Sequence, residues 1–120
     1  MKRVKPSERL RGIPCSMVAV ACALGVETPP SGMVLSDGQY GSLNNMNTYV
    51  RRYLPVKRQT KYRRGERPKL KELHLDGKAI VCVLGHFLYL DNETYWSFFK
   101  NSQDEVVCVW EIKESVGGKK

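Results

Sequence analysis

The sequence predicts an α+β fold in which a buried N-terminal helix, carrying a cysteine, packs on a C-terminal antiparallel β-sheet. The chain has 120 residues, a usual size for one domain with its own core. The segment Cys15–Leu24 is apolar on nearly every face. The last third of the chain is rich in β-branched and aromatic residues separated by turn residues. These two features define the helix and the sheet.

The first predicted element is a helix over Cys15–Leu24. It follows Pro14 and stops before Gly25. Proline is tolerated in the first turn of a helix, and glycine suits the position after the last helical residue. The backbone preferences of Pro14 and Gly25 therefore explain both helix ends. Residues 27–41 contain several prolines and glycines and are predicted to form a loop, with a short structured piece at 33–35.

The second predicted element is an amphipathic helix that begins after Ser42, an N-cap residue type. Apolar residues recur at helical spacing over residues 43–53, and the helix must stop before Pro55. Residues 56–62 are predicted to form an exposed strand, and residues 68–75 a short helix or turn.

Four strands are predicted in the last third of the chain, and we expect them to form an antiparallel meander. They comprise residues 78–84, 86–91, 94–100 and 106–112. With residues 92–93 at the tip of the hairpin between the second and third of these strands, His86 lies opposite Phe99. Ser97 and Asn101 then become diagonal neighbours of His86 on the same face.

Composition predicts one soluble domain over residues 1–120, with an N-terminal arm at residues 1–12 and a disordered tail at 114–120. Hydrophobic residues make up 42% of the chain, an ordinary globular value. No apolar run approaches the roughly 18 residues that span a bilayer, and no signal-peptide pattern follows the basic N-terminus. We therefore expect a cytoplasmic protein that makes no contact with a membrane.

The cysteines favour reduced thiols over disulfides or a metal site. The chain has four cysteines, widely separated and without a C-x-x-C pair, and two histidines. A structural zinc site would therefore lack the usual ligand spacing. We expect neither a metal nor another cofactor.

The net charge of +8 is concentrated in one part of the chain, which we call the basic segment, residues 57–71. Against a single acidic residue, Glu66, it carries eight cations: Lys57, Arg58, Lys61, Arg63, Arg64, Arg67, Lys69 and Lys71. Such a segment attracts phosphates or acidic protein surfaces, so nucleic acid and acidic protein are both candidate partners. A solvated loop that maintains solubility is the simpler interpretation.

Cys15 has the setting of a reactive thiol. The dipole and unpaired amides at the start of a helix favour the thiolate, and a backbone N–H beside the sulfur supplies half of an oxyanion hole. A cysteine beside an apolar helix is otherwise a small buried hydrophobe, which is our interpretation of Cys22.

The order of motifs along the chain resembles the papain-like cysteine peptidases. Ile13-Pro14-Cys15-Ser16-Met17-Val18-Ala19 carries the likeness at the helix. Val81-Cys82-Val83-Leu84-Gly85-His86-Phe87-Leu88-Tyr89, followed by Tyr95-Trp96-Ser97-Phe98, carries it at the strands. The chain is most similar to the compact branch that processes bacteriocin leader peptides and to small phage-encoded relatives. The resemblance implies a papain-like fold, with Cys15 as the nucleophile and His86 as its proton partner.

The third member of such a site, an Asp or Asn that orients the imidazole, has several candidates. The position that matches the family offers Trp96 or Ser97, whereas the hairpin count favours Asn101. Asp91 lies further along the hairpin. We predict that Asn101, rather than Trp96 or Ser97, contacts His86.

The oxyanion hole departs from the family pattern too, because relatives often carry a glutamine shortly before the cysteine. Residues 8–11 read Glu-Arg-Leu-Arg, so Arg9 or Arg11 would have to donate, unless both are ordinary surface residues.

Two functions from different classes follow. The first is a thiol hydrolase that cleaves a peptide or amide substrate through Cys15 and His86. The alternative is a catalytically inactive papain-like scaffold, directed at a phage or host target, that binds protein or nucleic acid through the basic segment. A sequence-independent nucleic-acid binder is a third interpretation, but no recognised motif accompanies the charge.

Overall fold

The fold is α+β, as predicted. The structure is a computed structural model that describes residues 1–28 and 43–113. In these ranges it comprises two helices and a mixed sheet of six strands. The expected structured piece at 33–35, the Ser42 N-cap and the 114–120 tail lie outside the described residues.

Both helices form where the sequence predicts them. Helix α1 spans Cys15–Leu24, and α2 spans Leu43–Tyr53. Gly25 ends α1 in the left-handed conformation, with φ of 72°, and its N–H bonds back to the last turn. A 3₁₀ turn at Leu70–Glu72 falls within the predicted short helix or turn.

The strands of the sheet lie in the order β1-β5-β4-β3-β6-β2. Their bounds are Lys2–Val4 (β1), Val56–Lys61 (β2), Lys78–Val83 (β3), His86–Asp91 (β4), Thr94–Trp96 (β5) and Val106–Ile112 (β6). The β1–β5 pair is parallel, and the other pairs are antiparallel. The predicted exposed strand is β2, which lies at one edge of the sheet.

The predicted meander is confirmed for β3, β4 and β5 but is wrong for β6. The β4–β5 hairpin has its tip at residues 92–93, as expected. However, β6 pairs with β3, on the side away from β4. This strand is buried on both faces, with Trp110 against the helices and Val109 against the opposite core. The inner position between β3 and β2 gives this strand a hydrogen-bonded neighbour on each side, and the two cores cover its faces.

The predicted pairing of His86 with Phe99 is also wrong, because β5 ends at Trp96. The Ser97 hydroxyl accepts the Phe99 N–H at 3.0 Å, a local side-chain bond that turns the chain out of the strand. Phe99 still reaches His86, with its ring edge-on at 5.5 Å between centroids.

Residues 1–12, expected as an arm, take part in the fold. Strand β1 adds to the sheet beside β5, and Leu10 is 1% exposed. The short sequence Lys2-Arg3-Val4 carries no alternating apolar pattern, so this strand was not predicted.

The sheet has a core on each face. Helices α1 and α2 cover one face, where Trp110 and Ile80 are fully buried. The other face is covered by the chain between β2 and β3, through Leu70 and Leu73. The basic segment therefore includes part of this cover. No helix in the two described ranges has both the length and the apolar character needed to cross a membrane.

Candidate active site

Helix α1 places Cys15 at its first residue, half-buried. The Pro14 carbonyl accepts hydrogen bonds from the N–H groups of Met17 and Val18. The amide of Cys15 itself makes no hydrogen bond to any residue of the described ranges. An unused N–H at a helix start, beside a thiol, is a ready donor for an anion.

The tight turn between β3 and β4 places His86. Gly85 has φ of 77°, a left-handed conformation that favours glycine, and His86 follows as the first residue of β4. The packing of α1 on β3 and β4 brings the helix and this turn together.

Cys15 and His86 line the same cavity, whose volume is about 730 Å³. Its walls are largely apolar and aromatic, and include Ile13, Phe87, Trp96, Phe98 and Phe99. Phe99 is 63% exposed at the cavity, although it is a large apolar side chain. Among the residues with described coordinates, Cys15 Sγ makes no hydrogen bond to the His86 ring.

The side chain that contacts His86 is Ser97, so the prediction that Asn101 makes this contact in its place is wrong. The distance from His86 Nε2 to Ser97 Oγ is 3.0 Å. Asn101 contacts Ser97 instead of His86, since Ser97 Oγ donates to Asn101 Oδ1 at 2.6 Å. The prediction failed because it continued β5 to residue 100. The chain instead turns at Ser97, so Asn101 does not lie on the strand beside the His86 ring.

The series of hydrogen bonds that begins at His86 ends at the carboxylate of Asp104. Asn101 Nδ2 donates to Asp104 Oδ2 at 2.7 Å. Asp91, the other carboxylate considered, lies at the far end of β4 from His86, beside the hairpin tip. Asp104 was missed, although Ser97, Asn101 and Asp104 form a run of polar residues at spacings of four and three in the printed sequence.

Burial makes His86 easier to deprotonate. It lowers the pKa of His86 from its ordinary value of 6.5, while the Asp104 charge acts in the opposite direction. The ring is therefore neutral at pH 7 and has one nitrogen able to accept a proton.

Burial keeps the other three thiols protonated. It raises the pKa of Cys22 to about 11 and that of Cys82 to about 12. Burial also raises the pKa of Cys108, against weaker opposing effects from Gln59 and Lys61. Cys82 lines the cavity with Cys15, but it is 8% exposed.

Of the two arginines considered for the oxyanion hole, only Arg11 lines the cavity. Its guanidinium lies 4.5 Å from the centre of the Phe98 ring and bonds to Glu8 at 2.8 and 2.9 Å. Arg9 is 77% exposed and lies 3.6 Å from Glu27. Arg9 therefore fits the interpretation as an ordinary surface residue.

The described residues supply few carboxylate partners to the basic segment. Among its eight cations, only Arg58 has a carboxylate of the described chain within ion-pair distance, Glu111 at 3.9 Å. Lys57, Arg58 and Lys61 lie on the edge strand β2, and the other cations follow in the cover of the second sheet face.

Comparisons with known proteins identify no relative. The chain matches no protein-family model, no curated protein and no solved structure. Within residues 1–28 and 43–113, no three side chains of the types His, Cys, Asp and Glu are grouped so as to hold a metal ion.

Proposed function

We propose that this protein is a thiol-dependent hydrolase of peptide or amide bonds on a papain-like scaffold, with Cys15 as nucleophile and His86 as base. The observation that carries the proposal is that both side chains line one cavity of about 730 Å³. A half-buried thiol at the start of α1 and a neutral imidazole at the start of β4 are a suitable pair for acyl transfer.

The reaction proceeds through a thioester. Cys15 Sγ attacks the carbonyl carbon of the substrate as its proton passes to His86, and the carbonyl π electrons move to the oxygen. When the tetrahedral intermediate collapses, the C–N bond breaks and the leaving amine takes the proton from His86. Water then attacks the thioester and gives a proton to His86. The C–S bond breaks, which releases the acid, and the proton returns from His86 to the Cys15 thiolate.

The oxyanion of both tetrahedral intermediates has one clear donor, the unused N–H of Cys15. Arg11 is the second candidate, because it lines the cavity and Glu8 occupies only two of its five N–H groups. Arg11 would take the place of the glutamine that relatives often carry, and the paired Glu8 offsets its charge.

Incubation of the full chain with a proteome-derived peptide mixture, read by mass spectrometry, tests the proposal. We expect new peptide termini with the wild type and with Cys22→Ala, but none with Cys15→Ala. Cys22→Ala is a suitable control because it removes a half-buried thiol from the same helix. Identical peptide profiles for the wild type and Cys15→Ala would contradict hydrolysis through this thiol.

A binding protein without catalysis is the second candidate. It is favoured by the cations of the basic segment that have no carboxylate partner among the described residues, and by the missing hydrogen bond between Cys15 and His86. In this case the partner is a polyanion, either a nucleic acid or an acidic protein surface, that lies along β2 and the following chain. A fall in the affinity for nucleic acid or heparin as the salt concentration rises is the expected signature.

A further inference from the structure

Two side chains, Ser97 and Asn101, connect His86 to the carboxylate of Asp104, and their hydrogen bonds define where each proton lies. Ser97 is 2% exposed and Asn101 is 5% exposed, so water does not substitute for their partners. The backbone also holds them: Asn101 N–H donates to Tyr95 Oη at 3.0 Å, and Asp104 N–H donates to the Asn101 carbonyl at 2.9 Å.

The proton positions follow from the carboxylate end. An ionised Asp104 can only accept, so Asn101 must direct its NH₂ group toward it. The Asn101 carbonyl oxygen then faces Ser97 and accepts the single hydroxyl proton of that serine. The lone pairs of Ser97 Oγ remain for two donors, the Phe99 N–H and His86 Nε2.

We infer that Ser97, held by Asn101 and Asp104, is a positioning residue that keeps His86 in the Nε2–H tautomer. This inference rests on the proposed function, in which the free Nδ1 is the atom that takes the Cys15 proton. The opposite tautomer would need the Ser97 proton for Nε2, which would leave the buried Asn101 oxygen without a donor.

The carboxylate of Asp104 has a separate effect through its charge. It raises the pKa of His86, against the larger lowering by burial. The other titratable groups that line the cavity around His86 are Cys15, Cys82 and Arg11. Asp104 therefore stabilises the protonated His86 that forms when Cys15 attacks, without touching the substrate.

The test is NMR of the full ¹⁵N-labelled chain without substrate, in which two-bond ¹⁵N–¹H correlations identify the protonated ring nitrogen. Above the pKa of His86 we expect Nε2–H in the wild type and in Ser97→Thr, which keeps the hydroxyl. Ser97→Ala removes the acceptor and should give a mixture of tautomers. A wild-type Nδ1–H ring, or an unchanged Nε2–H ring in Ser97→Ala, would overturn the inference.

A second variant covers the case in which Ser97→Ala does not fold. Asp104→Asn can still accept from Asn101 through its carbonyl oxygen, so the tautomer should persist while the pKa of His86 falls on NMR titration. An unchanged pKa would overturn the role of the Asp104 charge. Neither NMR measurement needs hydrolysis. A protein that cleaves no peptide can therefore still show the expected tautomer, and a protein that cleaves peptides can show the wrong one.

Discussion

The side chain of His86 has a measurable effect on stability through its burial. Its pKa in the folded protein is below the value of about 6.5 expected in the unfolded chain. Between these two pKa values the unfolded chain binds more protons, so the free energy of unfolding falls as the pH drops through 6.5. Below the pKa of His86 in the folded protein, the protonation of this residue no longer changes the free energy of unfolding.

Urea unfolding of the wild type and His86→Gln between pH 5 and 8 measures this effect as the difference between the two proteins. The difference should change in this pH window because only the wild type carries the half-buried ring whose pKa is lowered. His74→Gln is the control, since the His74 side chain is 75% exposed. A wild-type stability that rises on acidification relative to His86→Gln would contradict the lowered pKa of His86.

The four cysteines should differ in their reactivity toward alkylating agents. The pKa values of Cys22, Cys82 and Cys108 are raised by burial, so little thiolate forms there at neutral pH. Cys15 begins a helix and lines the open cavity. We expect iodoacetamide at pH 7.5 to modify Cys15 first, as mapped by mass spectrometry. Equal rates at Cys15 and Cys22 would contradict this difference in reactivity.

At the residue scale, local features of the sequence identified Cys15 and His86, which line one cavity, but favoured Asn101 over Ser97 as the partner of His86. Cys15 after a proline and His86 after a glycine are each placed by a turn or helix start that can be recognised in the sequence. The contact of Ser97 with His86 depends on where β5 ends. That end is set by a side-chain bond to the Phe99 N–H, which a strand pattern does not reveal.

A hydrogen bond from a buried indole connects α2 to the inner strand β6. The indole Nε1 of the fully buried Trp110 donates to Asn47 Oδ1 at 3.0 Å. Asn47→Ala should lower the free energy of unfolding by about 1–3 kcal/mol, the cost of a buried donor without a partner. Asn47→Asp keeps the acceptor and should lose much less. Chemical denaturation of the three proteins measures this, and equal stabilities would contradict a structural role for the bond.

At the element scale, local pattern predicted which segments form helices and strands better than it predicted their arrangement. The bounds of α1, β4 and β6 are those expected from the sequence. The position of β6 beside β3 depends on burial of both its faces in three dimensions. The three residues of β1 are too few to show a period, and their pairing partner, β5, is distant in the chain.

For the whole molecule, the charge distribution gives a test of the second candidate function. β2 is an edge strand, and its lysines also protect that edge from pairing with other chains. Binding of labelled DNA, RNA or heparin should weaken as salt rises, with a slope of log K on log salt of about −0.9 per phosphate contacted on duplex DNA. Affinity that does not change with salt would contradict an electrostatic role.

Charge-reversal variants identify the surface that binds the polyanion. Arg63→Glu with Arg64→Glu should weaken polyanion binding steeply at low salt, because both side chains are exposed and neither has a carboxylate partner within the described chain. Lys2→Glu with Lys5→Glu makes the same change in net charge at exposed positions outside the basic segment. Equal losses from the two pairs would show that only net charge matters.

The central claim, that Cys15 and His86 form one catalytic pair, is tested most directly by covalent capture with a peptide vinyl sulfone. The sulfur adds to this electrophile, and the site retains the adduct for intact-mass and peptide-map analysis. We predict a single adduct at Cys15 in the wild type, retained in Cys22→Ala and slowed in His86→Ala by about 10²-fold or more. An adduct that forms equally fast in His86→Ala, or at another cysteine, would contradict the account.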